Sequence, residues 1–181
     1  MAQQVIGIGT IPNDGTGDTA RTAFGKVNSN FAELYAGLLV SIAKNKAADQ
    51  SVATTTLTDD ADLIYGITVA GTYSITMFLQ QTAGGSGGIK ISVAYTGTLT
   101  TAQSSFAAFG TANGATFNSG RVAINSSMTW ATTSNNTDVI RVEAVLVVTG
   151  AGNVKLQFAE NTASSIPTIG KSSYMIVTKI A

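Results

Sequence analysis

Tyr73, Ile75, Met77 and Leu79 occupy alternate positions, with Ser74 and Thr76 between them. Successive side chains of an extended strand point to opposite faces, so this segment has one face for a core and one for water. Ile89, Ile91, Val93 and Tyr95 repeat the pattern against Lys90, Ser92 and Ala94. Val154, Leu156 and Phe158 repeat it against Lys155, Gln157 and Ala159. From about residue 52 onward the chain is built of such runs, at 62–69, 72–80, 89–95, 104–109, 121–130, 138–148, 153–159 and 174–180, with Gly, Ser, Thr and Asn between them. Short, evenly spaced strands of this kind predict a mainly β chain folded as a jelly-roll sandwich. The Gly84–Gly88 run reads as a flexible hairpin loop. Val145–Val148 is apolar at every position, which predicts a strand covered on both faces, the second cover being another subunit.

The first 50 residues differ. Asp18 to about Lys46 reads as one helix, with Asp18 or Thr19 placed to accept from the free N–H groups of its first turn. Ala20, Phe24, Val27, Phe31, Leu34 and Leu38 follow a 4-3-4-3-4 spacing, the a/d alternation of a heptad. Tyr35, Leu39 and Ile42 widen the stripe. Gly25 and Gly37 each cost about 1 kcal/mol against Ala, so the helix needs something to pack against. Its own domain and copies of itself both fit. The loop Pro12-Asn13-Asp14-Gly15-Thr16-Gly17-Asp18 ahead of it favours tight turns. It lacks the oxygen ligands and terminal Glu of a calcium loop, and no Lys-Ser/Thr pair follows its glycines to hold a phosphate. The expected division is therefore 1–50, an extended loop and helix, and 51–181, a β-sandwich knob.

Composition restricts the chemistry. The 181 residues include no His and no Cys, which excludes a Ser-His-Asp triad, a thiol nucleophile, disulfides and the usual zinc sites. Ten basic and ten acidic residues cancel, and charged residues make up 11% against about 25% in an ordinary domain. A neutral chain is not drawn to phosphate, so no nucleic-acid partner is expected. No apolar run approaches the ~20 residues of a membrane helix, and the N-terminus has no secretory signal pattern. No cofactor is expected.

Carboxylates are the remaining acid–base groups. Asp59, Asp60 and Asp62 cluster ahead of a strand among Thr and Ala, which reads as a solvated turn; a calcium or glycosidase site is the sharper alternative. Arg141 and Glu143 share one strand face and read as a surface or subunit-interface pair. Trp130, Phe106, Phe109 and Phe117 are either core or interface aromatics or a carbohydrate-stacking patch. Nothing in these patterns predicts an enzyme.

Two stretches carry a resemblance. Ile8–Asp18, continued by Arg21-Thr22-Ala23-Phe24, Lys26-Val27-Asn28 and Asn30–Tyr35, resembles an N-terminal segment of bacteriophage virion proteins that attaches tail fibres, spikes and other appendages to the particle. Thr19-Ala20 stands where that segment usually has Pro-Leu. Ala70–Ile75, Gly152–Ala159 and Gly170–Val177 are similar to strands of the C1q/tumour-necrosis-factor-like jelly rolls. The resemblances imply particle attachment through Pro12, Asn13, Asp14, Gly15, Gly17, Asp18, Arg21 and Phe24, and a homotrimer with Val27, Phe31, Leu34 and Leu38 on its helix interface. They imply a structural virion protein, a capsid decoration, cement or head-knob protein bound to the major capsid protein or another virion component. The alternative is a short tail fibre or receptor-binding tip that recognises a host surface glycan or protein. No membrane partner is implied.

Overall fold

The computed structural model describes residues 4–11, 15–37, 41–82, 88–110, 118–130, 137–163 and 166–181; at 35–37, 82, 103–110, 118–119, 130 and 137–138 it describes the backbone alone. The chain divides into two compact units, Met1–Val40 and Ser41–Ala181. In the first, Ala20–Gly37 forms a helix, α1. Among the described residues no helix is long and apolar enough to cross a membrane.

The expected helix ran on to Lys46, but Ser41–Asn45 is a strand, β1, antiparallel to the last strand of the chain. Ile42 and Lys44 stand opposite Val177 and Met175, whose side chains face the core. Ile42 therefore satisfies a period of two as well as it extends the heptad stripe. The strand partner decides between them, because β preference is mostly a matter of what lies alongside.

The other strands are β2 (Gln50–Ser51), β3 (Thr58–Ile67), β4 (Gly71–Thr82), β5 (Ile89–Tyr95), β6 (Leu99–Gly110), β7 (Asn118–Ala123), β8 (Ser127–Trp130), β9 (Thr137–Val148), β10 (Gly152–Glu160), β11 (Thr168–Ile169) and β12 (Tyr174–Lys179). The larger sheet runs β1-β12-β4-β9-β6-β7, with β11 beside β4 and β2 beside β11; the smaller runs β3-β10-β5-β8. Without the short β2 and β11 and the β6–β7 hairpin, eight strands remain. Numbered along the chain, they lie 1-8-3-6 in one sheet and 2-7-4-5 in the other. This is the strand order of a jelly roll, two Greek keys folded into facing sheets.

Two expectations need correction. The run 121–130 is two strands, because the chain turns at 124–126, with Asn125 at φ 66°, and passes from the larger sheet to the smaller. Gly84–Gly88 does not close a hairpin, since β4 and β5 belong to different sheets; residues 83–87 themselves lie outside the described residues.

The inward positions of both sheets make one core. Ile75, Met77, Leu146 and Met175 come from the larger sheet, and Leu63, Ile91, Leu156 and Phe158 from the smaller. The alternation expected for 73–79 and 154–158 is the alternation observed, whereas in 89–95 Ser92 and Ala94, expected to face water, are buried as well. On the outer face of the larger sheet Val145 is 48% exposed, so among the described residues of 41–181 nothing supplies the expected second cover. On the same face, beside Arg141, Phe78 stacks on Tyr174, ring centroids 5.6 Å apart.

The two ends of the sandwich are built differently. One carries tight turns at 68–70, 96–98, 124–126 and 149–151. Tyr73 Oη donates to Val69 O at 2.8 Å and Tyr95 Oη to Gly150 O at 2.7 Å. Burial and a neighbouring tyrosine raise the pKa of both phenols above the ordinary value. A Cβ on Gly152 would lie 2.3 Å from Gly97 N, so these turns touch backbone to backbone. Ser41 and Ala181 are at this end. The connections β4–β5, β6–β7 and β8–β9 all leave and return at the opposite end, where Thr82 pairs with Thr137 and Gly110 with Asp138.

Candidate functional site

The unit 1–40 is held together by polar contacts. Gln4 and Asn30 are doubly joined: Gln4 N–H donates to Oδ1 at 2.8 Å and Asn30 Nδ2 donates to Gln4 O at 2.9 Å. Lys26 Nζ donates to Val5 O at 3.0 Å and pairs with Asp18 Oδ2 at 2.6 Å. The same Asp18 oxygen accepts from Gly7 N–H at 2.7 Å, and Asp18 N–H returns a bond to Gly7 O at 2.8 Å. Residues 4–7 therefore run antiparallel to α1, from the level of Asn30 down to Asp18. A Cβ on Gly17 would sit 3.1 Å from Gly7 O and 3.2 Å from Gly9 N, so glycine permits the close approach. Lys26, then the Gly7 amide, hold the Asp18 carboxyl below its ordinary value of 3.8. Asp18 is thus a clasp. The helix cap is Thr19, whose Oγ1 accepts from Thr22 N–H at 3.4 Å.

With polar groups holding the unit, its apolar side chains point out. Ile8 is 90% exposed and Phe24 68%, with Val5, Ile11, Phe31 and Leu34 also exposed and Val27 half-buried. Among the expected attachment residues the structure joins Gly17 and Asp18 to the lead and leaves Gly15, Arg21 and Phe24 exposed. Pro12, Asn13, Asp14 and the interface residue Leu38 lie outside the described residues. The expected stripe of Val27, Phe31 and Leu34 lies on α1 without burial of Phe31 or Leu34. Sequence reasoning missed Gln4, and it had Lys26 and Asn30 only as part of the resembling stretch, with no role assigned. Asn30, a poor helix former in mid-helix, was the available signal, because such a side chain often bonds backbone outside its own turn.

The acidic cluster is not a solvated turn. Between Gln157↔Asp59 and Lys155↔Ile64, one residue of β10 faces four of β3, so 60–63 bulge from the ladder. Every backbone N–H of 61–63 is then satisfied by a side chain. Ala61 N–H donates to Gln50 Oε1 at 2.8 Å; Asp62 and Leu63 N–H donate to Asp60 Oδ1 at 3.0 and 2.9 Å. Asp60 Oδ2 faces Lys46 Nζ at 2.8 Å, both side chains being fully buried, and Asp62 Oδ2 is 3.7 Å from the same nitrogen. Asp59 points the other way. Burial alone would raise its pKa, but ion pairing with Lys155 and a 2.7 Å bond from Gln157 bring it below the ordinary value. The three carboxylates thus divide between two lysines on different faces, and no two flank a cleft as a glycosidase requires. Among the described residues no group of acidic side chains could hold a metal ion.

Arg141 and Glu143 form the expected pair, at 2.6 Å, on the open face of the larger sheet. The side chains of Phe106, Phe109 and Trp130, and all of Phe117, lie outside what the structure describes.

No protein-family model and no curated protein matches the chain. Two similar solved structures are an Eiger TNF from S. frugiperda and murine APRIL. The first has a TM-score of 0.44 and 10% identity over 79% of this chain and 93% of that one. The second has a TM-score of 0.39 and 8% identity over 79% of this chain and all of that one. The jelly-roll assignment itself rests on the strand order.

Proposed function

We propose that this chain is a structural protein of a phage particle, with residues 1–40 as its attachment element and the sandwich as a projecting knob. The supporting observation is the inside-out construction of the first unit. A polar clasp fixes its shape while Val5, Ile8, Phe24 and Phe31 are left in water. A surface of that kind gains by being covered, at about 25 cal/mol per Å² of apolar area buried. The attachment partner is the major capsid protein or another virion component.

The knob is a homotrimer in this reading, and its role is non-catalytic decoration or cementing of the capsid. The open face carrying Phe78, Val145 and Ile176 supports self-association through the larger sheet. The heptad seam of Val27, Phe31, Leu34 and Leu38 supports a parallel helical bundle. A cement protein binds the assembled shell and stabilises it by mass action.

The test is incorporation into particles by the full chain and by a variant lacking residues 1–40. The truncated protein should remain folded, fail to join particles and leave their heat resistance unraised. Normal incorporation without residues 1–40 overturns the attachment assignment. Light scattering should give a mass near three times 18.5 kDa that is stable to dilution; a monomer removes the trimer.

A further inference from the structure

Lys46 is the first residue after β1 in the larger sheet, and Asp60 sits in the bulge of β3 in the smaller. The alternation that turns Ile42 and Lys44 inward also turns Lys46 inward, where its side chain is wholly buried. Asp60 Oδ2 is buried beside Nζ but makes no aligned hydrogen bond, whereas Oδ1 is gripped by two backbone N–H groups. Asp62, oriented by Ala47 N–H at 3.0 Å, brings a second carboxylate to 3.7 Å from Nζ, and Gln50 Oε1 reaches Nζ at 3.4 Å.

We propose that Lys46 and Asp60 condense to an intramolecular amide that joins the two sheets covalently, with Asp62 carrying the proton. This reading is independent of the phage assignment.

The atoms balance with no co-reactant. Proton transfer within the buried pair gives a neutral amine beside a neutral acid. The Nζ lone pair attacks Cγ of Asp60, and negative charge develops on Oδ1. The Asp62 and Leu63 N–H groups already point at that oxygen, as donors of an oxyanion hole do. Asp62 takes a proton from the nitrogen and returns it to Oδ2. The Cγ–Oδ2 bond breaks, and Oδ2 leaves as water. Ammonium plus carboxylate has become amide plus one water.

Free lysine and aspartate do not condense in water, because both are charged and solvated. Burial of both side chains strips their hydration and excludes the water that would reverse the step. Fixed alignment of the two groups replaces an improbable encounter with an effective concentration on the order of 10⁵ M or more.

The experiment is mass spectrometry of the denatured full chain after trypsin. Cleavage follows Lys44 and Lys90, so the linked protein yields a peptide spanning 45–90, uncut after Lys46 and lighter by one water than its sequence. Cleavage after Lys46 with peptides at their sequence mass overturns the proposal and leaves an ion pair only. A cyclic imide at an aspartate would also lose one water, so Lys46→Arg is the control: the loss must vanish, and its persistence overturns the link. Asp60→Asn should expel ammonia and reach the same final mass. Asp62→Asn keeps an acceptor for Ala47 N–H but cannot shuttle the proton, so it should leave the peptide unlinked; linkage at an unchanged rate overturns the role of Asp62. If Lys46→Arg does not fold, the wild-type digest alone still decides, because trypsin requires a free Lys46 amine.

Discussion

Unit 1–40 and unit 41–181 distribute their polar and apolar groups in opposite ways. In the sandwich, Phe158, Leu63 and Ile75 are fully buried, and polar contacts serve mainly to finish bulges and turns. In the first unit a few polar contacts fix the chain path, while Ile8 and Phe24 remain in water. Hydrophobic burial is roughly proportional to area removed from water and drives most folding. The sandwich therefore has its stability within itself, whereas the first unit has specified a shape without burying its large apolar side chains. An isolated helix of this length is marginal in water, so the clasp matters more than its few bonds suggest.

The contrast can be broken at several points. The largest effect is expected from Phe158→Ala, which should destabilise the sandwich by about 3–5 kcal/mol in denaturant melts and leave the first unit's exchange protection unchanged. Gly152→Ala should come next, at about 1–3 kcal/mol, because its new Cβ would press on the Gly97 backbone. Asn30→Ala should cost about 1 kcal/mol locally. Hydrogen exchange at Gln4–Gly7 should accelerate while the sandwich melts at its usual temperature. Shared loss in both units would show that they are one cooperative body.

Acid should sharpen the same contrast. The Asp18 carboxyl is held below 3.8, so its stabilising contribution is complete above that value and is lost as pH falls through the lowered one. Amide exchange near Gly7, corrected for intrinsic pH dependence, should rise in that window in the wild type. The rise should be absent in Asp18→Asn.

The sandwich was legible where a strand alternates over a long run, as β4 does from Tyr73 to Leu79, and less so in β5, whose Ser92 and Ala94 are buried along with its apolar face. β1 was not, since five residues ahead of Lys46 fit either period and only β12 chooses between them. The Asp59–Asp62 cluster was misread for a related reason. A bulge depends on how many residues of one strand oppose the other, and the spacing of β10 against β3 is not written locally in either. The residues of the 8–35 stretch could be singled out, but its geometry could not. Of the two expected cap residues Thr19 takes the role, while Asp18 bonds a glycine eleven positions earlier. The exposure of Phe24 and Leu34 was hidden behind a stripe that looks the same whether buried or bare.

The placement of Ser41 and Ala181 at one end has a mechanical consequence. β1 and β12 are antiparallel neighbours whose outer termini face the same way, so tension between residues 41 and 181 would open their ladder like a zipper. Register pairs would part singly, from Ser41↔Thr178 to Asn45↔Tyr174, each under the full load. The next residue is Lys46, anchored to Asp60 in the opposite sheet. Peeling would stall there, and the rest of the knob would meet the force only after that anchor gave way.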